Sequence, residues 1–152
     1  MSTGEHPDFP APEAGFVATL FLVVDNVERS RTFYTTVFDA EVIWPGDEEG
    51  WPAFLKLSNT WLVINTAGGP TEDKPTVHCV TPEQPDRVSA FMNLRVADVQ
   101  ECYENWCQRG AEFLTPPQDR GYEIRCYMRD PDGHLIEVGQ HVPQEQSSDQ
   151  DT

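Results

Sequence analysis

Basic residues are scarce in this sequence. Ten Lys and Arg stand against 26 Asp and Glu among 152 residues, leaving a formal net charge of -16. A nucleic-acid partner needs a cationic face to meet its phosphates, so that class is excluded. Long apolar runs are missing too. None approaches the roughly 18 residues of a membrane span, and no membrane partner is expected. The four cysteines, Cys79, Cys102, Cys107 and Cys126, show no C-x-x-C pair and no zinc-finger spacing; they read as reduced, mostly buried thiols. There is no Gly-rich phosphate loop and no Ser-His-Asp arrangement. The start, MSTGEHPDFPAPEAG, lacks the basic and apolar regions of a secretory signal, so a cytoplasmic location is expected. The acidity itself keeps the chain in solution and steers cationic or neutral ligands toward it.

What is present is an internal duplication. The stretches LVVDNVERSRTFYTTVFDAEVI (22–43) and LRVADVQECYENWCQRGAEFL (94–114) share one pattern of strand, amphipathic helix, "AE" and a second strand. The offsets hold nearly constant: Val24 to Val96 is 72, Ala40 to Ala111 is 71 and Thr60 to Gly133 is 73. In the first helix Val27, Phe33, Tyr34, Val37 and Phe38 recur on one face; in the second Val99, Cys102, Tyr103 and Trp106 do. Asp25 with Glu28, and Asp98 with Glu101, each have capping-box spacing. Strands are expected after each helix at about 41–45, 51–57 and 61–66, and again at about 112–115, 122–129 and 134–140. Each copy is then βαβββ, and the fold class is α+β. The expected division is a flexible tail at 1–14, a first module at 15–67, a linker at 68–87 with a short strand near 76–80, a second module at 88–140 and a flexible acidic tail at 141–152.

These features, with the Tyr-bearing helix of VERSRTFY and the closing DPDGHLIEV, resemble the vicinal oxygen chelate superfamily. That group includes glyoxalase I, extradiol dioxygenases, and the fosfomycin- and bleomycin-resistance proteins. The resemblance covers about residues 15–140. It implies a curled mixed sheet, a cup, with helices outside and relatives that are often homodimers. It also implies, in metal-using members, an ion held from the first and last strands of each module. Carried onto this chain, those positions are Thr19, Phe91, Ile64 and Glu137, of which Glu137 alone is a good ligand. Phe and Ile have no donor atom to place at about 2.0–2.2 Å from a metal. No cofactor is therefore expected, and a divalent metal enters only under a shifted register with Glu137 as a ligand.

Strand alternation assigns the lining of the cup, because residues two apart share a face. With Glu137 inward, the set is Thr19, Phe21, Val23, Trp51, Ala53, Leu55, Leu62 and Ile64, then Phe91, Asn93, Arg95, Ile124, Cys126, Met128 and Leu135. Arg95 is the expected counter-charge to Glu137. Trp44 and Trp51 flank the acidic PGDEEG segment and could edge the cup mouth, while Trp61 is expected beneath its helix and Trp106 in the core. The candidate ligand-binding residues are Thr19, Phe21, Trp44, Trp51, Ile64, Phe91, Asn93, Arg95, Cys126 and Glu137. The leading expectation is a protein that binds a small, mostly apolar or cationic molecule without the family metal. The alternative is a lyase, isomerase or dioxygenase type of enzyme with Glu137 as general base or metal ligand.

Overall fold

The computed structural model describes residues 9–46 and 50–144. The tails expected at 1–14 and 141–152 fall mainly outside them, as does part of the PGDEEG segment. Contacts divide the chain into two compact units, residues 1–84 with 131–133, and residues 85–130 with 134–152. The class is α+β, as the sequence pattern implies.

The first unit runs β1 (Leu20–Val24), α1 (Val27–Phe38), β2 (Glu41–Trp44), β3 (Ala53–Leu57) and β4 (Thr60–Thr66). Its sheet order is β1-β4-β3-β2, with β1 parallel to β4 and the other pairs antiparallel. β3 and β4 are joined by the two-residue turn Ser58-Asn59, with Leu57 opposite Thr60. A turn that short matches the strand twist only with left-handed backbone, and Ser58 takes it at φ 54°. α1 lies on β3 and β4, and Leu22, Val24, Tyr34, Val37, Ala53, Leu55, Leu62 and Ile64 are buried there.

The start of α1 differs from the expected capping box. Asn26 is the N-cap, its side chain accepting from the Arg29 amide at 2.9 Å. The Asp25 amide donates instead to Asp132 Oδ1 at 2.7 Å. The same carboxylate accepts from Arg29 at 2.9 Å and from the buried Ser30 hydroxyl at 3.2 Å. Residues 131–133, from DPDG, therefore belong to the first unit although the strands on either side do not.

The second unit runs β5 (Met92–Arg95), α2 (Val99–Gln108), β6 (Glu112–Phe113), β7 (Gln118–Asp119), β8 (Glu123–Arg129) and β9 (Leu135–His141). Its sheet order is β5-β9-β8-β6, with β7 also on β8. β5 is parallel to β9 and the other pairs are antiparallel. Asp98 caps α2 as expected, accepting from the Glu101 amide at 3.0 Å. α2 lies on β8 and β9, its Val99 buried with Cys126, Met128, Ile136 and Val138. Trp106 is half-buried rather than fully enclosed. In place of the strand expected near 76–80 there are two isolated bridges, Gly68 with Cys79 and Thr71 with Lys74; the Pro and Gly of the segment interrupt a longer ladder.

Candidate functional site

Strand pairing, read residue by residue, decides which side chains share the face turned away from each helix. In the first unit Phe21 pairs with Val63, and Val63 with Phe54. The open face therefore carries Phe21, Val23, Phe54, Lys56, Trp61, Val63 and Asn65. Ala53, Leu55, Leu62 and Ile64, expected to line a cavity with Phe21, lie on the opposite face with Leu22 and are buried. Apolar side chains of that density belong between sheet and helix, where water is excluded. Trp61 is corrected in the other direction: it stands on the open face, half-buried, with Lys56 Nζ 5.4 Å from its ring. Thr19 precedes β1 and is exposed, and Phe21 and Trp51 are each about half exposed. Trp44 ends β2 opposite Phe54, and Phe54 is stacked on by Phe9 at 4.3 Å.

The second unit brings more chemistry together. Asn93 on β5, Glu137 on β9 and Tyr127 on β8 pair in one row across the sheet. Glu137 is 8% exposed. Its Oε2 accepts from the Tyr127 hydroxyl at 2.5 Å, and its Oε1 accepts from Asn93 Nδ2. The carboxylate beside it, and then burial, hold the Tyr127 phenol above its usual pKa, so Tyr127 keeps its proton and stays a donor at neutral pH. Phe91, exposed, meets the Tyr127 ring edge-on at 6.1 Å.

The next row along the strands is Arg95, Gly139 and Arg125. Arg95 is not the partner of Glu137. It bonds Glu123 Oε1 at 2.8 Å, while Arg125 bonds Glu123 Oε2 at 3.0 Å and the Tyr122 hydroxyl at 3.2 Å. Both guanidinium groups hold the Glu123 carboxyl below the usual carboxylate range. Arg125 also sits 5.8 Å over the Tyr127 ring.

Cys126 is corrected by the same register. It pairs with Val138, on the helix-covered face with Ile124 and Met128, and is 1% exposed. Burial first, and the neighbouring Cys107 and Cys102 thiols next, push it up to about 12; it is not a nucleophile at neutral pH. Tyr127, Arg125, Glu123 and Gly139 are the residues the sequence reading passed over. The signal for them is in EIRCYMR, where charged or hydroxyl-bearing residues alternate with Ile, Cys and Met. Ile64 is likewise one residue off: the partner that Glu137 makes with Asn93 is matched in the first unit by Val63 with Phe21.

Known proteins resemble this chain in sequence and in fold. The metallothiol transferase FosB of Shouchella clausii (strain KSM-K16) is 29% identical over 118 residues, covering 76% of this chain and 73% of its own. Among solved structures, the fosfomycin resistance protein FosX of Listeria monocytogenes matches with a TM-score of 0.62 at 19% identity, over 85% of this chain and 93% of that one. TioX of Micromonospora sp. ML1 matches with a TM-score of 0.64 at 21% identity, over 84% of this chain and all (100%) of that one. A FosX mutant was solved complexed with Mn(II) and 1S,2S-dihydroxypropylphosphonic acid. The expectation of no cofactor is corrected by these relatives, one named for a metallothiol and another holding Mn(II). No helix among the described residues is long and apolar enough to cross a membrane. The Glyoxalase/Bleomycin resistance protein/Dioxygenase superfamily matches residues 16–138, through the strands and helices of both units, and the chain belongs to that superfamily.

Proposed function

We propose that this chain works in the cytoplasm as a small-molecule-binding protein of the fosfomycin-resistance type, with its ligand on the open face of the second sheet around Glu137 and Tyr127. One observation carries the reading. A nearly buried carboxylate is held on a sheet face by a phenol on one oxygen and an amide on the other, and the sheet's apolar core lies on the reverse side. Burying a carboxylate costs stability even when it is hydrogen-bonded, and such groups gather at binding and catalytic sites. Phe91 and Leu135 supply apolar surface beside it, as small-molecule sites require.

The relatives' metal can be tested against the residues present. Glu137 is the one good donor carried over from the resemblance, and its lone pairs accept from Tyr127 and Asn93. Phe91 offers no donor. Among the described residues there is no group of three or more His, Cys, Asp or Glu side chains able to hold an ion. Of the carried-over positions Glu137 alone would ligate such an ion, and no step is derived through one.

Titration of the isotope-labelled protein with fosfomycin and a panel of small organic molecules, followed by NMR, tests the reading. Binding should shift the amides of Asn93, Tyr127 and Glu137, and Glu137→Gln should weaken it by about tenfold, the worth of one charge-assisted hydrogen bond. Hits that all map elsewhere would sink the proposal. An enzyme is distinguished by the same variant: turnover lost with binding kept marks Glu137 as a base, whereas binding lost alone marks a binder. Homodimer formation belongs to this reading, and light scattering that gives the mass of one chain at high concentration would refute it.

A further inference from the structure

Phe9 lies against the first sheet although the segment that follows it is exposed. Its ring stacks on Phe54 at 4.3 Å between centroids, with the ring planes 17° apart, and both residues are half-buried. Phe54 belongs to the row Phe21, Val63, Phe54 and Trp44, which crosses the open face from β1 through β4 and β3 to β2. Phe9 is therefore seated two strands, about 10 Å, from the strand that its own segment enters. The connecting residues 10–19 suit such a reach. Pro10 and Pro12 stiffen the stretch beside Phe9 and lower the entropy lost when the ring seats. Gly15 supplies a bend at φ 67°, and a methyl group built there would meet nothing within 4 Å. Residues 11–19 are exposed, Phe16 at 91%, so the segment runs through solvent and the Phe9 ring anchors its far end.

The internal duplication sets this contact beside its counterpart. Phe54 pairs with Val63 as Tyr127 pairs with Glu137, so the two rings hold matching places in the two sheets. Tyr127 is met edge-on by Phe91 of its own sheet, whereas the flat of the Phe54 ring is covered by Phe9. Phe21, at 52% exposed, and the half-buried Trp61 continue the aromatic surface of the first sheet. We propose that residues 9–19 form an autoinhibitory strap, in which Phe9 fills the stacking place on Phe54 and must swing out before another planar ring stacks there. The strap goes beyond the Glu137 reading and does not depend on it. One half-buried stacked ring is a weak hold, worth about tenfold over the open arrangement. A ligand of this face binds with its affinity reduced by the fraction of chains whose strap is open.

2-Naphthol, a neutral planar molecule, tests the strap in the full-length protein by NMR. The free protein is expected to show a nuclear Overhauser contact between the Phe9 and Phe54 rings. Saturating 2-naphthol should abolish that contact and shift the amides of residues 53–55 and 62–64. Phe9→Ala should bind the probe about tenfold tighter, because the resident competitor is gone. Phe9→Tyr should return the affinity to that of the unaltered chain, and Phe16→Ala, on the exposed part of the strap, should leave it unchanged. Equal affinity in the unaltered chain and Phe9→Ala overturns the proposal. Weaker binding by Phe9→Ala also overturns it, by making Phe9 a wall of the site rather than its occupant. A ring contact that persists in the saturated complex, or no shift at these amides in either protein, does the same.

Discussion

Replacing Asp132 by alanine is expected to lower the unfolding free energy by about 3 kcal/mol. The side chain of Asp132 is 2% exposed and sits where the polypeptide turns from β1 into α1. It accepts the Asp25 amide, the Ser30 hydroxyl and the Arg29 guanidinium. Alanine would leave the Asp25 amide and the fully buried Ser30 hydroxyl without this acceptor, and orphaned groups cost more than the bonds gain. The Arg29 arm is 46% exposed and contributes little, as solvent-screened pairs do. Asparagine keeps an acceptor oxygen for the Asp25 amide and should lose only about 1 kcal/mol. Urea unfolding followed by circular dichroism measures both. A loss under about 1 kcal/mol for alanine would show that water replaces the carboxylate freely.

The same aspartate shows what a sequence does and does not reveal. The DPDG stretch is plainly a turn, because Pro, Asp and Gly each favour one. That its second Asp serves a helix start 107 residues away has no local signature, so Asp25 and Glu28 look like a self-sufficient capping box. At α2 the distant Gln140 takes the Val99 amide at 2.9 Å but leaves the Glu101 amide to Asp98, which caps its own helix. The helices, the succession of elements along the chain and the duplication were legible because period and offset are local or repeated patterns. The candidate site was legible only in part. Glu137, Asn93, Arg95 and Phe91 fall on one face because alternation from a fixed strand reaches them directly. Tyr127, Arg125 and Glu123 sit across the hairpin, and the register through the turn decides whether they or Cys126 and Met128 face Glu137. Alternation carried through the turn without the pairing register chose Ile124, Cys126 and Met128, although charged or hydroxyl-bearing residues alternate with apolar ones throughout EIRCYMR.

That register makes a sharp prediction about two adjacent residues of β9. Ile136→Asp should destabilise the second unit by about 4 kcal/mol or more, whereas Glu137→Gln should cost no more than about 1 kcal/mol. Ile136 is 1% exposed and pairs with Met92 and Met128, on the face that α2 covers. A carboxylate there has no donor in reach of its sheet neighbours, which are methionines, and a buried charge without a partner is among the few changes that unfold a small unit outright. At position 137 glutamine keeps an oxygen for the Asn93 amide and gives the Tyr127 hydroxyl a new donor to accept from, so the row stays bonded. Chemical denaturation of each purified variant, read by amide signals of β8 and β9, separates the two. Similar losses at 136 and 137 would mean that the polar and apolar faces are not divided as described, and the whole Asn93–Glu137–Tyr127 row would have to be redrawn. A large loss at 136 with a folded Glu137→Gln protein would place Glu137 on a face whose chemistry is free to vary without the fold, as a ligand site must be.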